Sequence, residues 1–310
     1  MSQDETRPSD IPEAPLEDSL PSAWQPLTRR GVASFSKAPI GRLILVQFIV
    51  ALLVAAAVLW FLASVWFPII RESIGKLPDA GSIQNQQLTS PHTSTAPLSE
   101  NRFLTFLVDV NGVGTPSVAT DFRVEFRQRH AALCSPYGCL IREYPPGWTI
   151  QFNRPELESW WGAWQLTLYT FTGVAVVVWL FASWLVLATL YGPIARIYSF
   201  FKDRRITLVG SWKLAAAALL PGALMIAGAI VLYGLGLLTL LQFLIVWVLH
   251  FVVGWAYLFA SLLQLPRASD AANLPRNPFD SEEESEKKRG SANPFAGDGA
   301  STSAPPNSQP

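Results

Sequence analysis

The chain has 310 residues, half of them apolar and only 15% charged, and its 23 basic side chains balance its 23 acidic ones. Such a composition is unusual for a soluble protein of this length and typical of one with several bilayer spans. A net charge of zero offers no bulk electrostatic attraction for nucleic acid. We therefore expect an integral membrane protein that has the lipid bilayer as its surroundings and no nucleic-acid partner.

The N-terminal segment, residues 1–42, is predicted to be a disordered cytoplasmic tail with a basic end. Residues 1 to about 28 are rich in proline and acidic side chains, and they have too little apolar surface to offset the entropy of the chain. The pattern predicts disorder. The apolar run that follows exceeds the apolar core of an ordinary signal peptide, so we expect an anchor and not a cleaved leader.

Four apolar segments are long enough to cross a bilayer, which takes about 20 helical residues. Gly234 and Gly236 interrupt the last long run and predict a tight turn, so that its two halves form a helical hairpin. Pro221 predicts a kink near the start of that hairpin. The predicted spans are residues 43–70, 164–191, 213–233 and 237–263.

Lysine and arginine near the span ends predict the orientation, because these residues are retained on the cytoplasmic side. One basic group precedes the first span and another lies between the second and third. We therefore expect a multi-pass protein of the cell membrane with both termini in the cytoplasm. The basic residues are Arg29, Arg30, Lys37, Arg42, Arg196, Lys202, Arg204, Arg205 and Lys213.

Residues 192–212 form the predicted cytoplasmic loop, and their pattern has two interpretations. Apolar residues recur at helical spacing from Ile194 to Phe201, with arginine and lysine elsewhere on the helix. A short amphipathic helix on the inner membrane surface would show this pattern. A cytoplasmic extension of the second span would show it equally well.

Residues 71–163, between the first two spans, change from helical to strand periodicity. The runs at residues 103–112 and 122–128 are β-rich, and in the second Phe122, Val124 and Phe126 alternate with charged residues. We expect a small β-rich extracytoplasmic domain of four to six strands, with its carboxylates on a solvated face. The fold class is thus membrane α-helical, with four transmembrane helices and a β-rich insertion between helices 1 and 2.

Cys134 and Cys139 are the two cysteines of the chain, in the stretch "CSPYGC". The intervening Ser, Pro and Gly favour a turn, which would place the cysteines opposite each other across a four-residue hairpin loop. An oxidising compartment then favours a structural disulfide. Free thiols or metal or redox chemistry are the alternatives, although the segment adds only His92 and His130 as further ligands.

Polar and small side chains within the spans are candidates for function or packing. Gln242 and His250 are intramembrane polar residues of the fourth span, and His250 is either functional or a hydrogen-bonding contact to a neighbouring helix. Small residues in the third span predict close helix packing, within the hairpin or between copies of the chain in a homo-oligomer. These packing residues are Ala218, Gly222, Ala223 and Ala227.

The C-terminal segment, residues 264–310, is predicted to be a disordered cytoplasmic tail because it is rich in Ser, Pro, Asn, Gly and Glu. The tripeptide "NPF" occurs in it twice. It resembles the ligand of Eps15-homology domains in eukaryotic trafficking proteins, and chance in a Pro/Asn-biased tail is the alternative. The candidate partner-binding residues are Asn277, Pro278, Phe279, Asn293, Pro294 and Phe295.

The stretches "LPDAGSIQNQQL", "FLVDVNG" and "SWKLAAAALLPGALMIAG" resemble a bacterial family of uncharacterised multipass proteins distantly similar to the Yip (Ypt-interacting protein) family. The resemblance covers about residues 42–265. It departs from Yip proteins, which usually have five spans and no large exported domain. The resemblance implies a membrane protein, and no functional residues carry over from it.

The sequence contains no phosphate-binding glycine loop, nucleophile elbow or paired metal-ligand motif, so we expect no enzyme and no cofactor. The first hypothesis is a non-enzymatic scaffold or sensor whose exported domain binds another membrane or envelope protein. The second is an accessory subunit of a transport or envelope-biogenesis complex. The third is a membrane-trafficking adaptor that uses the two Asn-Pro-Phe sites.

Overall fold

The computed structural model describes residues 24–91, 96–111 and 120–267. Within these ranges, four helical segments are long and apolar enough to cross a membrane, and eight short strands lie between the first two. The predicted architecture of four helices with a β-rich insertion is therefore confirmed. The helical segments are Ile40–Gly75, Arg154–Phe201, Leu208–Gly234 and Leu240–Leu262.

The first span is one continuous helix with a wide turn in its second half. Helix α2 (Ile40–Phe61) passes through a π-helical turn (Leu62–Trp66) into helix α3 (Phe67–Gly75). Pro68 at the start of α3 has no N–H to donate, and a π turn is one way to accommodate such a break. The helix thus extends beyond residue 70, where we predicted the span to end.

Helix α4 (Arg154–Phe201) forms the second span and has 48 residues, or about 72 Å of helix. Asn153 caps it by accepting a 3.1 Å hydrogen bond from the backbone N–H of Glu156. Since α4 continues to Phe201, the extension of the second span is the correct interpretation of this segment. The predicted loop at residues 192–212 is wrong at both ends, because the helix runs through Pro193 and the next helix begins at Leu208.

The third span consists of helices α5 (Leu208–Ala218) and α6 (Leu220–Gly234), with a break at Leu219 next to Pro221. This break is the kink predicted from the proline. Gly236 then adopts a φ of +76°, which favours glycine, and α7 (Leu240–Leu262) begins after the turn. The predicted boundaries of these two spans agree with the observed ones to within a few residues.

A short N-terminal helix corrects the prediction of disorder up to residue 42. Helix α1 (Arg29–Ser34) packs against α5 and α7, and Val32, Ala33 and Phe35 are fully buried there. The local sequence is too short to predict this, because the burial comes from distant helices. Residues 1–23 and 268–310, with both "NPF" sites, lie outside the described residues.

The third span lies at the centre of the helical bundle. Leu214 and the four alanines that follow it are each at most 1% exposed, since small side chains let neighbouring helices approach on every side. In the most apolar stretch of each span, 67% of residues are buried for α5–α6 but only 11% for α4 and for α7. Helices α4 and α7 therefore present broad apolar faces outward.

The inserted domain, which we define as residues 76–153, contains two sheets. The smaller has the order β2-β1-β8, and the larger has the order β3-β4-β5-β6-β7, with β4 and β5 parallel and the other pairs antiparallel. The strands are β1 (Ser82–Gln84), β2 (Gln87–Thr89), β3 (Ser99–Glu100), β4 (Leu104–Asp109), β5 (Phe122–Arg127), β6 (His130–Ser135), β7 (Gly138–Glu143) and β8 (Ile150–Gln151).

A small apolar core joins the two sheets. Phe126 on β5 packs 4.9 Å, centroid to centroid, from Phe152 beside β8. Tyr144 donates a 2.9 Å hydrogen bond to the carbonyl oxygen of Arg127, and burial raises the pKa of Tyr144 to about 12. Eight strands exceed the predicted four to six, because two- and three-residue strands carry no readable periodicity. The buried core residues are Leu77, Ile83, Leu88, Leu98, Val108, Tyr144 and Phe152.

The bundle has two ends, which we name by their distance from the inserted domain. The near end contacts that domain and comprises the π turn, α3, the first turns of α4 and the α6–α7 turn. The far end comprises α1, the end of α4, the start of α5 and the end of α7.

Candidate functional site

The strands β6 and β7 form a hairpin closed by the disulfide. Cys134 lies directly opposite Cys139 in the antiparallel register, their Cα atoms are 4.0 Å apart, and a disulfide joins them. Ser135 and Gly138 form one further pair beyond the cysteines. The loop is therefore two residues long and not the predicted four, and Gly138 takes a φ of +144° at its end.

Strand β7 is the exposed edge of the five-stranded sheet. All six of its residues are exposed, and Leu140 and Ile141, which point to opposite faces, are 70% and 59% exposed. Tyr137 in the loop is 64% exposed. Among the described residues, β7 pairs with β6 on one side and with no strand on the other. The hairpin thus presents an apolar edge to its surroundings.

The disulfide joins β6 to β7, a strand that is not stabilised by burial of its side chains. Because β7 buries no side chain, its attachment to β6 depends on backbone hydrogen bonds and the covalent link. The loop-entropy model gives about 2 kcal/mol for closing so short a ring. The disulfide therefore keeps an exposed strand in a fixed register.

Glu125 corrects the prediction of a solvated charged face on β5. Its side chain is buried, and its carboxylate oxygens lie 2.5 Å from Nε of Arg123 and 2.9 Å from Nη2 of Arg127. The three residues alternate along one strand and so share a face. Leu107 and Ala132, opposite Glu125 on the neighbouring strands, are buried beside it on the same face. The carboxylate is held in an internal ion pair.

Two side chains of the inserted domain, Ser99 and Asn101, bind it to the first span. Ser99 Oγ donates a 3.0 Å hydrogen bond to the carbonyl oxygen of Ile69 and also contacts Ser73 Oγ. Asn101 Nδ2 donates a 3.0 Å hydrogen bond to the carbonyl oxygen of Val65, within the π turn. The β3–β4 connection is therefore fixed to the wide turn of the helix.

The same connection also binds the α6–α7 turn. Arg102 donates through Nη1 to the carbonyl oxygen of Gly236 and through Nη2 to that of Leu238, the latter at 3.0 Å. The hydroxyl of Tyr233 donates a 2.8 Å hydrogen bond to Oδ2 of Asp121. We call this set of contacts at the near end the junction. Sequence reasoning missed it, because its partners lie far apart in the chain and neither partner shows a periodic pattern.

Aromatic rings fill the space behind these hydrogen bonds. Phe103 lies 4.9 Å from Tyr233 between ring centroids, and Tyr233 stacks at 5.6 Å on Phe61 and at 5.2 Å on Phe243. Phe61 lies in α2, Tyr233 in α6 and Phe243 in α7, and Phe103 lies directly before β4. The rings therefore join three spans to the inserted domain. The junction is a packed contact and not a flexible tether.

The two polar residues of the fourth span have local roles in the structure. Gln242 lies in the first turn of α7, where it forms a capping box: its Oε1 accepts from the N–H of Thr239, and its N–H donates to the Thr239 hydroxyl. Nδ1 of His250 faces the carbonyl oxygen of Trp247 in its own helix. This contact is within α7 and does not join His250 to a neighbouring helix.

The predicted small residues of the third span lie at helix crossings. A Cβ at Gly222 would be 2.7 Å from the carbonyl oxygen of His250, and one at Gly254 would be 3.7 Å from that of Ala218. Backbones of α6 and α7 therefore approach closely at Gly222. Ala223 is buried in the same core, and Ala227 packs against it.

No group of three His, Cys, Asp or Glu side chains that could hold a metal ion occurs in the ranges 24–91, 96–111 and 120–267. His130 lies on β6 opposite Glu143, and His92 lies outside those ranges. The cysteines are engaged in the disulfide. The exposed hairpin and the junction are therefore the features on which a functional proposal can rest.

The chain matches no protein-family model, no curated protein and no solved structure. The resemblance to the Yip family stays a prediction, and function has to be argued from the geometry.

Proposed function

We propose that the chain is a non-enzymatic integral membrane scaffold that presents its inserted domain outside the cell membrane as a docking module for another protein. The observation that carries the proposal is the exposed, disulfide-held edge strand β7. Both termini then lie in the cytoplasm, since the basic residues cluster at the far end of the bundle. The disulfide supports the same orientation, because such bonds persist in oxidising compartments.

The chemistry of β7 favours a partner that adds a strand. A free strand edge offers a row of backbone donors and acceptors, and proteins usually protect such edges with charged side chains, lysine above all, or with proline, bulges or a cover. Residues 138–143 contain neither lysine nor proline, and their two charged residues, Arg142 and Glu143, stand at the end of the strand away from the turn. Leu140 and Ile141 lie uncovered on opposite faces. Strand addition would satisfy the backbone and cover both side chains, giving affinity and specificity together.

The junction favours a scaffold over a moving sensor. Helix α3 ends at Gly75 and β1 begins at Ser82, while β8 ends at Gln151 and α4 begins at Arg154. Both connections are short, and an ion pair of 2.6 Å between Arg154 and Asp79 ties them together. With the hydrogen bonds of the junction, they hold β7 at a constant position relative to the helices.

The accessory-subunit hypothesis is a second candidate, supported by the outward faces of α4 and α7. Phe171 and Trp179 on α4 are 71% and 74% exposed, and Ile245 and Val252 on α7 are each 57% exposed. Lipid covers such faces in a lone subunit, and a second copy or another membrane protein covers them in a complex. Cross-linking from Trp179 would separate these cases.

Photo-cross-linking in the native membrane tests the docking proposal. A photoreactive residue in place of Ile141 should capture a protein, whereas one in place of Thr89, an exposed residue of the edge strand β2 in the other sheet, should not. A photoreactive residue in place of Tyr137 should also capture the partner. The variant L140K/I141K, which keeps the disulfide, should prevent that capture. Equal capture from positions 141 and 89, or none from either, would contradict the proposal.

The orientation has its own test. Intact cells are treated with a membrane-impermeant reductant and then with an impermeant thiol reagent. The reagent should label Cys134 and Cys139. Labelling only after lysis would place the inserted domain in the cytoplasm and invert the topology.

A further inference from the structure

The far end of the bundle contains a cavity of about 370 Å³ that none of the roles above explains. It lies where α4 ends and the chain turns into α5. Three of its six lining residues are arginines, and none is acidic. The lining residues are Arg196, Phe200, Arg204, Arg205, Ile206 and Thr207.

The arginines of this cavity have no acidic partner in the described part of the chain. Among residues 24–91, 96–111 and 120–267, no carboxylate lies within 4.0 Å of Arg196, Arg204 or Arg205. Asp203, adjacent in sequence, takes part in none of the ion pairs within these ranges either. Three guanidinium groups around one cavity repel each other, so the site is suited to an anion.

Arg204 is held in place while part of it remains unsatisfied. Its Nη1 donates to the carbonyl oxygen of Leu265, which ties the end of α4 to the end of α7. Its Nε is buried and has no hydrogen-bond partner among the described residues. The attachment to Leu265 fixes Arg204 in the cavity wall, where the guanidinium edge that lines the cavity is a ready donor to an oxygen-rich ligand.

Apolar side chains beside the arginines distinguish an amphipathic ligand from a free anion. Phe200 and Ile206 line the cavity, and the rings of Phe200 and Phe201 are 80% and 77% exposed. A free inorganic anion makes no use of such surfaces. Acyl chains that leave a headgroup held by the arginines would cover them.

The cavity also lies at the depth of lipid headgroups. From Trp164 to Arg196, α4 rises about 48 Å, which a usual tilt of about 20° reduces to about 45 Å. The full bilayer with its headgroups is about 40–45 Å thick. With Trp164 at one interface, Arg196 therefore reaches the opposite headgroup layer.

We propose that this cavity binds the phosphate headgroup of an anionic phospholipid from the cytoplasmic leaflet. Arg196 and Arg205 bind the phosphate oxygens, Arg204 adds a fixed donor from the wall, and Phe200 contacts the acyl chains. The cytoplasmic leaflet is the one rich in anionic lipid. The placement in that leaflet rests on the proposed orientation, whereas the ligand chemistry rests on the cavity alone.

The test uses the full chain in a neutral detergent, with short-chain phosphatidylglycerol as the probe and binding followed by the rise in melting temperature. We expect saturable stabilisation by phosphatidylglycerol and none by phosphatidylcholine. The variant R196Q/R205Q should bind roughly 30-fold more weakly, about fivefold for each basic residue lost. Arg204 is left intact because it also holds the ends of α4 and α7 together.

Lys202→Gln is the matched control, because it removes one charge from the same loop without changing the cavity lining. It should weaken binding less than fivefold. If Lys202→Gln alone weakened binding as much as R196Q/R205Q, lipid binding would be explained by general attraction to the basic loop and not by a specific site. Equal stabilisation by inorganic phosphate would show a free-anion site and overturn the lipid proposal.

One further outcome concerns the chain's own acidic tail. If phosphatidylglycerol stabilised only a variant in which Glu282, Glu283 and Glu284 are changed to glutamine, and not the wild-type chain, the tail would occupy the cavity of the wild-type chain. The lipid proposal would then fail. Because the assay in detergent involves neither orientation nor β7, its failure would leave the docking proposal intact. Failure of the docking tests would likewise leave the cavity unaffected.

Discussion

Arginines at the two ends of the molecule have opposite environments. In and beside the inserted domain, Arg102 donates to two carbonyl oxygens, and Arg123 and Arg127 flank a buried glutamate. At the far end, Arg196 and Arg205 line a cavity with no carboxylate within reach in the described part of the chain. The same side chain thus serves structure at one end and remains available to a ligand at the other.

The difference shows how to separate structural from functional charges in such a protein. A paired guanidinium has already exchanged water for protein oxygens, so its removal leaves a protein group unsatisfied. An unpaired guanidinium on a cavity wall leaves nothing unsatisfied when it is removed. Stability should therefore depend on the first group and ligand binding on the second.

Glu125→Ala should give the largest loss of stability. It leaves two arginines facing each other on a covered face, and breaking a buried pair costs about 3–5 kcal/mol. We expect about 2–3 kcal/mol, because the arginine side chains are 34% and 42% exposed. Protease resistance of the inserted domain in urea measures the change, with the exposed Glu143→Ala as control. Equal effects of the two variants would show that the ion pair is not structural.

Removing the disulfide with C134S/C139S should cost about 2 kcal/mol. The hairpin then lacks its covalent register, and we expect weaker photo-cross-linking from position 141 as well as easier unfolding. Reductant added to the wild-type protein should reproduce both effects. If capture by β7 were unchanged without the disulfide, the link would have no role in presenting the edge.

Arg102→Ala should have a smaller effect, about 1 kcal/mol, because the lost hydrogen bonds lie at an exposed position. The local consequence is sharper: hydrogen exchange should accelerate in the α6–α7 turn, where Gly236 and Leu238 lose their donor. Arg142→Ala on β7, which the structure leaves exposed, is the control. Unchanged hydrogen exchange in the turn would show that Arg102 does not stabilise the junction.

R196Q/R205Q should have the smallest effect on stability without lipid, within about 0.5 kcal/mol of wild type. The variant should melt at a lower temperature than the wild type only when phosphatidylglycerol is present. A melting temperature far below that of the wild type in detergent alone would mean that these arginines are structural after all. The comparison between the two ends would then no longer hold.

The near end also shows where sequence reasoning stops. "CSPYGC" predicts a hairpin and a disulfide because turn chemistry and cysteine spacing are local. The exposure of Leu140 and Ile141 is not local, since alternating residues on an edge strand read the same as those on a central one. For the same reason the sequence predicts a solvated Glu125, although its side chain is buried in the folded domain.

The sequence by itself determined the four apolar helices, the inserted β-rich domain, the break at Pro221 and the turn at Gly236. Each follows from composition or from neighbours a few residues away. Only the tertiary structure decided that α1 is buried, that α4 continues to Phe201, that Asn101 and Arg102 bind distant carbonyl oxygens, and that three arginines surround one cavity. These features depend on which surfaces meet when distant segments pack, and no periodicity in the chain encodes that.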